Sequence, residues 1–152
     1  MQLKGKVITG AMRGSSLIDI HFDRLVGILG FMPYRGTMDI RLEKSMDITR
    51  FSTKAIEHIL LDGSKKTDAY LAPVKIIIKG EEYNCWAMRQ KNYIYSDTRL
   101  EIIAKENLRD KFALKDGDDV DVVMTELPRK RNNRLHFVRN FYSSDKHLMK
   151  RK

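Results

Sequence analysis

Cysteine occurs once in this chain of 152 residues, at Cys85, and proline only three times. A lone cysteine excludes an internal disulfide and cannot build a zinc site. Its setting, Tyr83-Asn84-Cys85-Trp86-Ala87-Met88, is apolar and reads as a buried, inert thiol. The scarcity of proline and the lack of any Ser/Gly-rich run argue against an internal linker, and the length fits one domain with a real core. No apolar run approaches the length of a membrane span. Met1 to Ile8 mixes polar and apolar residues like a strand and shows no signal-peptide core, so a soluble, cytoplasmic protein is expected. His21, His58, His136 and His147 lack metal-ligand spacing. The Walker signature and the nucleophile elbow are both missing.

Acidic residues are scarce in one region only. From Pro128 to Lys152 there are nine Lys or Arg against the single Asp145, a balance of +8, which leaves +1 of the total +9 for residues 1 to 127. The expected organisation is a nearly neutral body, 1–127, and a basic C-terminal extension, 128–152. Such an extension can bind nucleic acid or an anionic surface, or can be a solvated appendage, and composition does not separate these. Within it, Leu135, Val138, Phe141 and Tyr142 fit one helical face, while Asn132-Asn133 fits the turn of a hairpin.

The body reads as short strands joined by glycine-bearing turns. Residues 2 to 9 suit a first strand, and Leu17 to Phe22 alternates with Ile18, Ile20 and Phe22 on one face. Asp23 is placed to cap a short helix, Arg24 to Leu29, closed by Gly30. Met38 to Leu42 is a strand; Lys54 to Leu61 fits either a helix or a strand, and Asp62 to Lys66 is a turn. Ala69 to Ile78 is strongly β-prone, with Pro73 implying an edge, a bulge or a strand start, and Lys79 to Glu82 turns it back into Tyr83 to Met88. Leu100 to Ala104 and Val120 to Met124 are further strands, with a helical turn expected over Glu106 to Phe112. About six or seven strands, two short helices and no βαβ rhythm predict a mainly β barrel with small helical inserts.

Two stretches have chemical potential. Gly30-Phe31-Met32-Pro33-Tyr34-Arg35-Gly36 is a shaped turn running into Thr37-Met38-Asp39. Residues two apart in a strand share a face, so a hydroxyl and a carboxylate point the same way, a pair suited to Mg²⁺ beside phosphate. On the residues alone, a polar strand edge is the simpler account. Gly10 to Ser16 sets two glycines, Arg13 and two hydroxyls in one loop that can present N–H groups and charge to phosphate, or simply connect two elements.

Several segments, taken in order, resemble the archaeal-type, CTP-dependent riboflavin kinases: Leu29-Gly30-Phe31-x-Pro33-Tyr34-x-Gly36-Thr37, Leu71-Ala72-Pro73-Val74-Lys75-Ile76, Leu100-Glu101-Ile102-Ile103-Ala104, Asn107-Leu108-Arg109, and Leu114-Lys115-Asp116-Gly117-Asp118. The resemblance covers roughly residues 4 to 124. It implies a six-stranded cradle-loop barrel that moves the γ-phosphate of CTP to the 5′-hydroxyl of riboflavin, giving FMN and CDP. It places a nucleotide loop on Ala11, Met12, Arg13, Gly14, Ser15 and Ser16, with a second nucleotide segment on Glu106, Asn107, Leu108 and Arg109. Thr37 and Asp39 become the Mg²⁺ ligands. Glu101 becomes the flavin-contacting carboxylate, with Tyr93 beside the flavin, and Asp39 and Glu101 are the candidates for the catalytic base. The chain departs from the family pattern in four places: Met12 stands where a second glycine is common, Asp39 stands for an asparagine, Gln90 stands for a proline, and the flavin-side threonine has no clean counterpart near Asn92-Tyr93. The expected partners are CTP and riboflavin, with a monomeric protein and no membrane. The alternatives are a kinase of another alcohol, or a non-catalytic barrel binding nucleic acid through the basic extension.

Overall fold

The computed structural model describes residues 1–10, 18–59, 63, 65–91 and 98–125, leaving aside the side chains at 58, 59 and 65–68. Seven strands occur among them: β1 (Gln2–Ile8), β2 (Met38–Leu42), β3 (Lys54–Ile59), β4 (Lys65–Ile78), β5 (Glu81–Gln90), β6 (Arg99–Ile103) and β7 (Asp119–Val123). The helices are α1 (Phe22–Leu29) and α2 (Leu108–Lys111), with a 3-10 turn at Ile48–Arg50. The strands run in the order β3-β4-β5-β6-β2-β1-β7, and β7 pairs back onto β4. Six strands therefore close an antiparallel barrel, as predicted, and β3 lies outside the ring against the first half of β4. Closure leaves no free edge among the six.

β4 serves two partners in succession, and Pro73 marks the change. Residues 65–71 pair with β3 and Lys75–Ile77 pair with β7, while β5 runs along the other side with Pro73 opposite Trp86. The proline has no N–H to donate, and it sits in the interval where β4 leaves one neighbour for the next. The expected turn at Asp62–Lys66 is shorter than its sequence suggests: Gly63 is left-handed at φ 82°, but Lys65 and Lys66 already belong to β4.

Alternate side chains of the ring fill the barrel. Val7, Ile40, Ala72, Ile76, Ala87, Leu100, Ile102 and Val122 are all buried in one cluster with Cys85. The expectation of an inert cysteine holds, because burial pushes its thiol up to about 12, far from the thiolate form. Gly5 on β1 is required by packing, since a Cβ there would lie 2.5 Å from Ile40 Cγ2.

A second cluster lies on the outer wall. Ile18, Leu25 and Leu29 pack on Ile56, Ala69, Leu71, Met88 and Ile103. This corrects the strand expected over Leu17 to Phe22: residues 18–20 are helical, and α1 begins at Phe22, one residue before the expected cap Asp23. Asp23 lies in the first turn, where a negative charge favours the helix N-terminus, and the cap position is His21. The alternation was misleading because a helix places residues two apart on nearly opposite sides; Ile18 is buried while Ile20 is 75% exposed. The pattern that matters is Ile18, Phe22, Leu25, Leu29, one stripe at helical spacing. Gly30 closes α1 at φ 78°, its N–H donating to the Val26 carbonyl at 3.0 Å. No helix among the described residues is long and apolar enough to cross a membrane.

Candidate active site

The turn after α1 is tied to the barrel wall before it enters β2. Tyr34 N–H donates to the Ala104 carbonyl at 2.8 Å, beyond the end of β6, and Gly36 N–H donates to the Tyr34 carbonyl at 2.9 Å. Gly36 is needed for space and not for handedness: a Cβ there would meet the Tyr34 ring at 2.9 Å. In β2 the residues Met38, Ile40 and Leu42 point into the barrel core, which turns Asp39 outward. Thr37 and Asp39 share a face as expected, with the Thr37 hydroxyl donating to Asp39 Oδ1 at 3.2 Å.

Asp39 faces outward yet is only 4% exposed. Part of the cover is Gly10, just past β1, whose backbone approaches so closely that a Cβ would lie 2.2 Å from Asp39 Oδ2. Another part comes from β6, where Glu101 is the cross-strand partner of Asp39 and is itself 4% exposed. Like charges directly opposite repel, so this pair needs a counter-charge. Arg99 supplies it, donating from Nη2 to Asp39 Oδ2 at 3.1 Å and to the Thr9 carbonyl at 3.2 Å.

The electrostatics follow from this crowding. Burial, reinforced by the Asp39 charge, pushes the Glu101 carboxyl up to about 7, against the opposing pull of Arg99 and a hydrogen bond with Gln90. Burial also raises Asp39, opposed by the charge and hydrogen bond of Arg99 and by the bond from Thr37. The two carboxyls titrate as a pair. A folded-state pKa above the unfolded value favours the native state at low pH. The contribution of Glu101 is therefore fully present below its ordinary value of 4.5 and is lost as pH rises through about 7. We expect Glu101→Gln to remove this part of the pH dependence, which amounts to at most about 3 kcal/mol. Denaturant unfolding at pH 5 and pH 8 checks it: the decline between the two should be shallower in the variant, and equal declines would contradict the assignment.

A cleft of about 360 Å³ opens beside Asp39. One wall is Gly10, Gly36, Thr37 and Asp39; the other is Glu106, Asn107, Leu108 and Arg109, with Tyr34 between them. The predicted metal pair and the second predicted nucleotide segment thus meet in one cavity. Asn107 caps α2 through its Oδ1 and donates from Nδ2 to the Tyr34 hydroxyl at 3.3 Å, joining the two walls. Glu106 pairs with Lys111 at 2.6 Å, which offsets a carboxylate otherwise unwelcome near phosphate. Arg109 donates to the Ile8 carbonyl at 3.3 Å and to Asp116 Oδ1 at 2.8 Å, and Thr9 Oγ1 also donates to Asp116. The Thr9 bond and then Arg109 hold the Asp116 carboxyl below its usual range.

Glu101 does not line this cleft; it stands behind Asp39 on the outer wall, on the side of Met88 and Gln90. Ala11, Met12, Arg13, Gly14, Ser15 and Ser16 lie outside the described residues, as does Tyr93, and the chain departs toward the first group from Gly10 at the cleft edge. Arg99 and Tyr34 carry no role in the sequence reading, although an arginine two positions before the carboxylate of an alternating strand was a usable signal for the first.

Thr37 Oγ1 and Asp39 Oδ1 are hard oxygen donors 3.2 Å apart. Adjacent ligands in a Mg²⁺ octahedron of 2.0–2.1 Å bonds are separated by roughly 3 Å, so the pair fits two neighbouring positions on such an ion.

Residues 7–124 match the family model for CTP-dependent riboflavin kinases, a domain also described as a domain of unknown function, DUF120. The chain is 28% identical over 126 residues to a riboflavin kinase of Methanococcus vannielii, covering 81% of this chain and 97% of that one. It is 32% identical over 127 residues to a riboflavin kinase of Archaeoglobus fulgidus, covering 80% of this chain and 54% of the longer relative. With a riboflavin kinase of Methanospirillum hungatei the identity is 27% over 128 residues, covering 82% and 58%. With the match running from the end of β1 through β7 and including both walls of the cleft, the chain belongs to the CTP-dependent riboflavin kinase family.

Proposed function

We propose that this protein is a riboflavin kinase that transfers the γ-phosphoryl group of CTP to the 5′-hydroxyl of riboflavin, giving FMN and CDP, with Mg²⁺ held by Thr37 and Asp39. The observation that carries the reading is the Thr37–Asp39 oxygen pair at 3.2 Å, set in a cleft whose opposite wall is the 106–109 segment. The names of the relatives support the acceptor, and the family supports the donor.

Phosphoryl transfer asks a protein mainly for positioning and charge neutralisation. A bound Mg²⁺ would neutralise phosphate oxygens and hold them in line. Gly10 brings backbone close to that position and leads into the loop 11–16, assigned to the phosphates together with Arg13. Arg109, anchored on Asp116 and on the Ile8 carbonyl, fixes the β1 exit relative to the opposite wall. Asp39 has Thr37 on one oxygen and Arg99 on the other. Asp39 at the cleft and Glu101 behind it remain the two assigned candidates for accepting the proton of the attacking hydroxyl. Glu101 and Tyr93 remain the assigned flavin contacts. The proposal keeps residues 1–127 as the catalytic unit and 128–152 as a basic extension, in a cytoplasmic monomer.

A thermal-shift screen with CTP, ATP, CDP, riboflavin and FMN, each with and without Mg²⁺, tests the ligand set. The expected result is Mg²⁺-dependent stabilisation by CTP over ATP and additive stabilisation by FMN with CDP. CDP release that needs an alcohol other than riboflavin would replace the acceptor and keep the kinase. The +8 extension favours a second reading, nucleic-acid binding. Deleting 128–152 is expected to leave CTP turnover measurable; salt-sensitive RNA binding lost with the extension, from a chain with no turnover, would favour the second reading.

A further inference from the structure

Three ionisable side chains from two neighbouring strands are packed together behind the cleft: Asp39 and Glu101, each 4% exposed, and Arg99, whose side chain is 18% exposed. The register places Arg41 opposite Arg99 and Asp39 opposite Glu101, so Arg99 reaches its aspartate along the diagonal. The same Nη2 that meets Asp39 Oδ2 at 3.1 Å also meets the Thr9 carbonyl at 3.2 Å, next to the glycine that presses on that carboxylate. Arg99 is itself held in place. Its carbonyl accepts from Arg89 Nε at 3.1 Å and Nη2 at 2.7 Å, and a further Arg89 nitrogen donates to the Met46 carbonyl.

We propose that Arg99 is a positioning residue for the cation site: by engaging Asp39 Oδ2 and the Thr9 carbonyl together, it turns Oδ1 toward Thr37 and fixes the β1 exit against the same carboxylate. The proposal rests on the functional reading above and adds a residue to it. A carboxylate enclosed in this way has three rivals for its orientation: repulsion from Glu101, contact with Gly10 and the bond from Thr37. Only a donor on the Oδ2 side holds it against the first two while leaving the Thr37 side open. Lysine would supply the charge, but its freely rotating ammonium would not fix the angle between the carboxylate and carbonyl bonds as the planar Nη2 does. Asp39 and Arg99 should accordingly behave as one unit. Arg99→Met leaves both carboxyls without this cation, whereas replacing Asp39 as well removes the carboxylate it hydrogen-bonds and relieves the repulsion on Glu101.

The test uses the full chain and four variants: Arg99→Met, Arg99→Lys, Asp39→Asn, and Asp39→Asn with Arg99→Met. Two readouts are taken: the thermal midpoint without ligands, and the Mg²⁺ concentration giving half of the CTP-induced thermal shift, which needs no turnover. Supporting partners of metal ligands typically change metal affinity 10–100-fold, so Arg99→Met should raise the half-saturating Mg²⁺ by about that factor. Arg99→Lys should recover part of the loss, and the double variant should have a higher midpoint than Arg99→Met alone. A purely structural ion pair would lower the midpoint of Arg99→Met and leave the Mg²⁺ half-saturation unchanged, which would overturn the proposal. Independent, additive midpoint changes for positions 39 and 99 would also overturn it. Should Arg99→Met fail to fold, unchanged Mg²⁺ half-saturation in Arg99→Lys is the overturning result. Absence of any Mg²⁺-CTP shift in the unsubstituted chain would remove the functional reading and this inference together, whereas a normal shift there isolates the failure to Arg99.

Discussion

Asp39→Ala and Thr37→Ala are each expected to lower phosphoryl transfer by about 10²–10³-fold, the range typical of removing one charge-stabilising group from a preorganised site. The two differ in what they do to the fold. Thr37→Ala deletes one partly buried hydrogen bond, to Asp39 Oδ1, and should cost about 1 kcal/mol of stability. Asp39→Ala removes the anion from Arg99, and breaking a buried pair in this way costs about 3–5 kcal/mol when the remaining charge is fully enclosed. The Arg99 side chain keeps 18% exposure and Glu101 is relieved of its like-charged neighbour, so the actual loss should fall below that range. Activity assays with unfolding curves on both variants check the pair. A folded Asp39→Ala protein with near-normal turnover would sink the metal-ligand assignment.

Gly10→Ala should be nearly as damaging, for steric reasons. Its Cβ would lie 2.2 Å from Asp39 Oδ2 and 2.6 Å from Asp39 Cγ, so either the carboxylate rotates or the β1 exit withdraws. Both movements are resisted: the carboxylate by Thr37 and Arg99, the exit by Arg99 and by Arg109 on the Ile8 carbonyl. Overpacking of this kind costs about 1–3 kcal/mol. A displacement of about 1 Å at a reacting centre is enough for a loss on the order of 10²-fold. Gly27→Ala is the matched control, because Gly27 lies within α1 with nothing within 4 Å of an added Cβ, and it should stabilise by about 0.5–1 kcal/mol without touching turnover. Equal activities in the two alanine variants would contradict the close approach of Gly10 to the carboxylate.

What the sequence made legible was local. β-propensity, mixed polar and apolar patterning and turn spacing found β1, β2, β4, β5, β6 and β7, and the left-handed glycines Gly30, Gly63, Gly80 and Gly117 sit at turns. The pairing of Thr37 with Asp39 was legible because strand geometry alone puts residues two apart on one face. Alternation failed at residues 18–22, where five residues cannot separate the two periods and the decisive partners, Leu25 and Leu29, lie further on. The ion pair behind the cleft was not legible either, since Asp39 and Arg99 are 60 residues apart and meet only through the β2–β6 register. The raised Glu101 is a product of the same register. A glutamate inside an apolar strand suggests a wet face; here it is dry, because its cross-strand neighbour is another carboxylate under shared cover.

The most direct measurement is product analysis of the full chain incubated with riboflavin, CTP and Mg²⁺. The account predicts FMN and CDP in equal amounts, dependence on Mg²⁺, and much slower turnover with ATP. CDP accumulating without FMN, or no CDP at all from a protein shown to be folded, would contradict it.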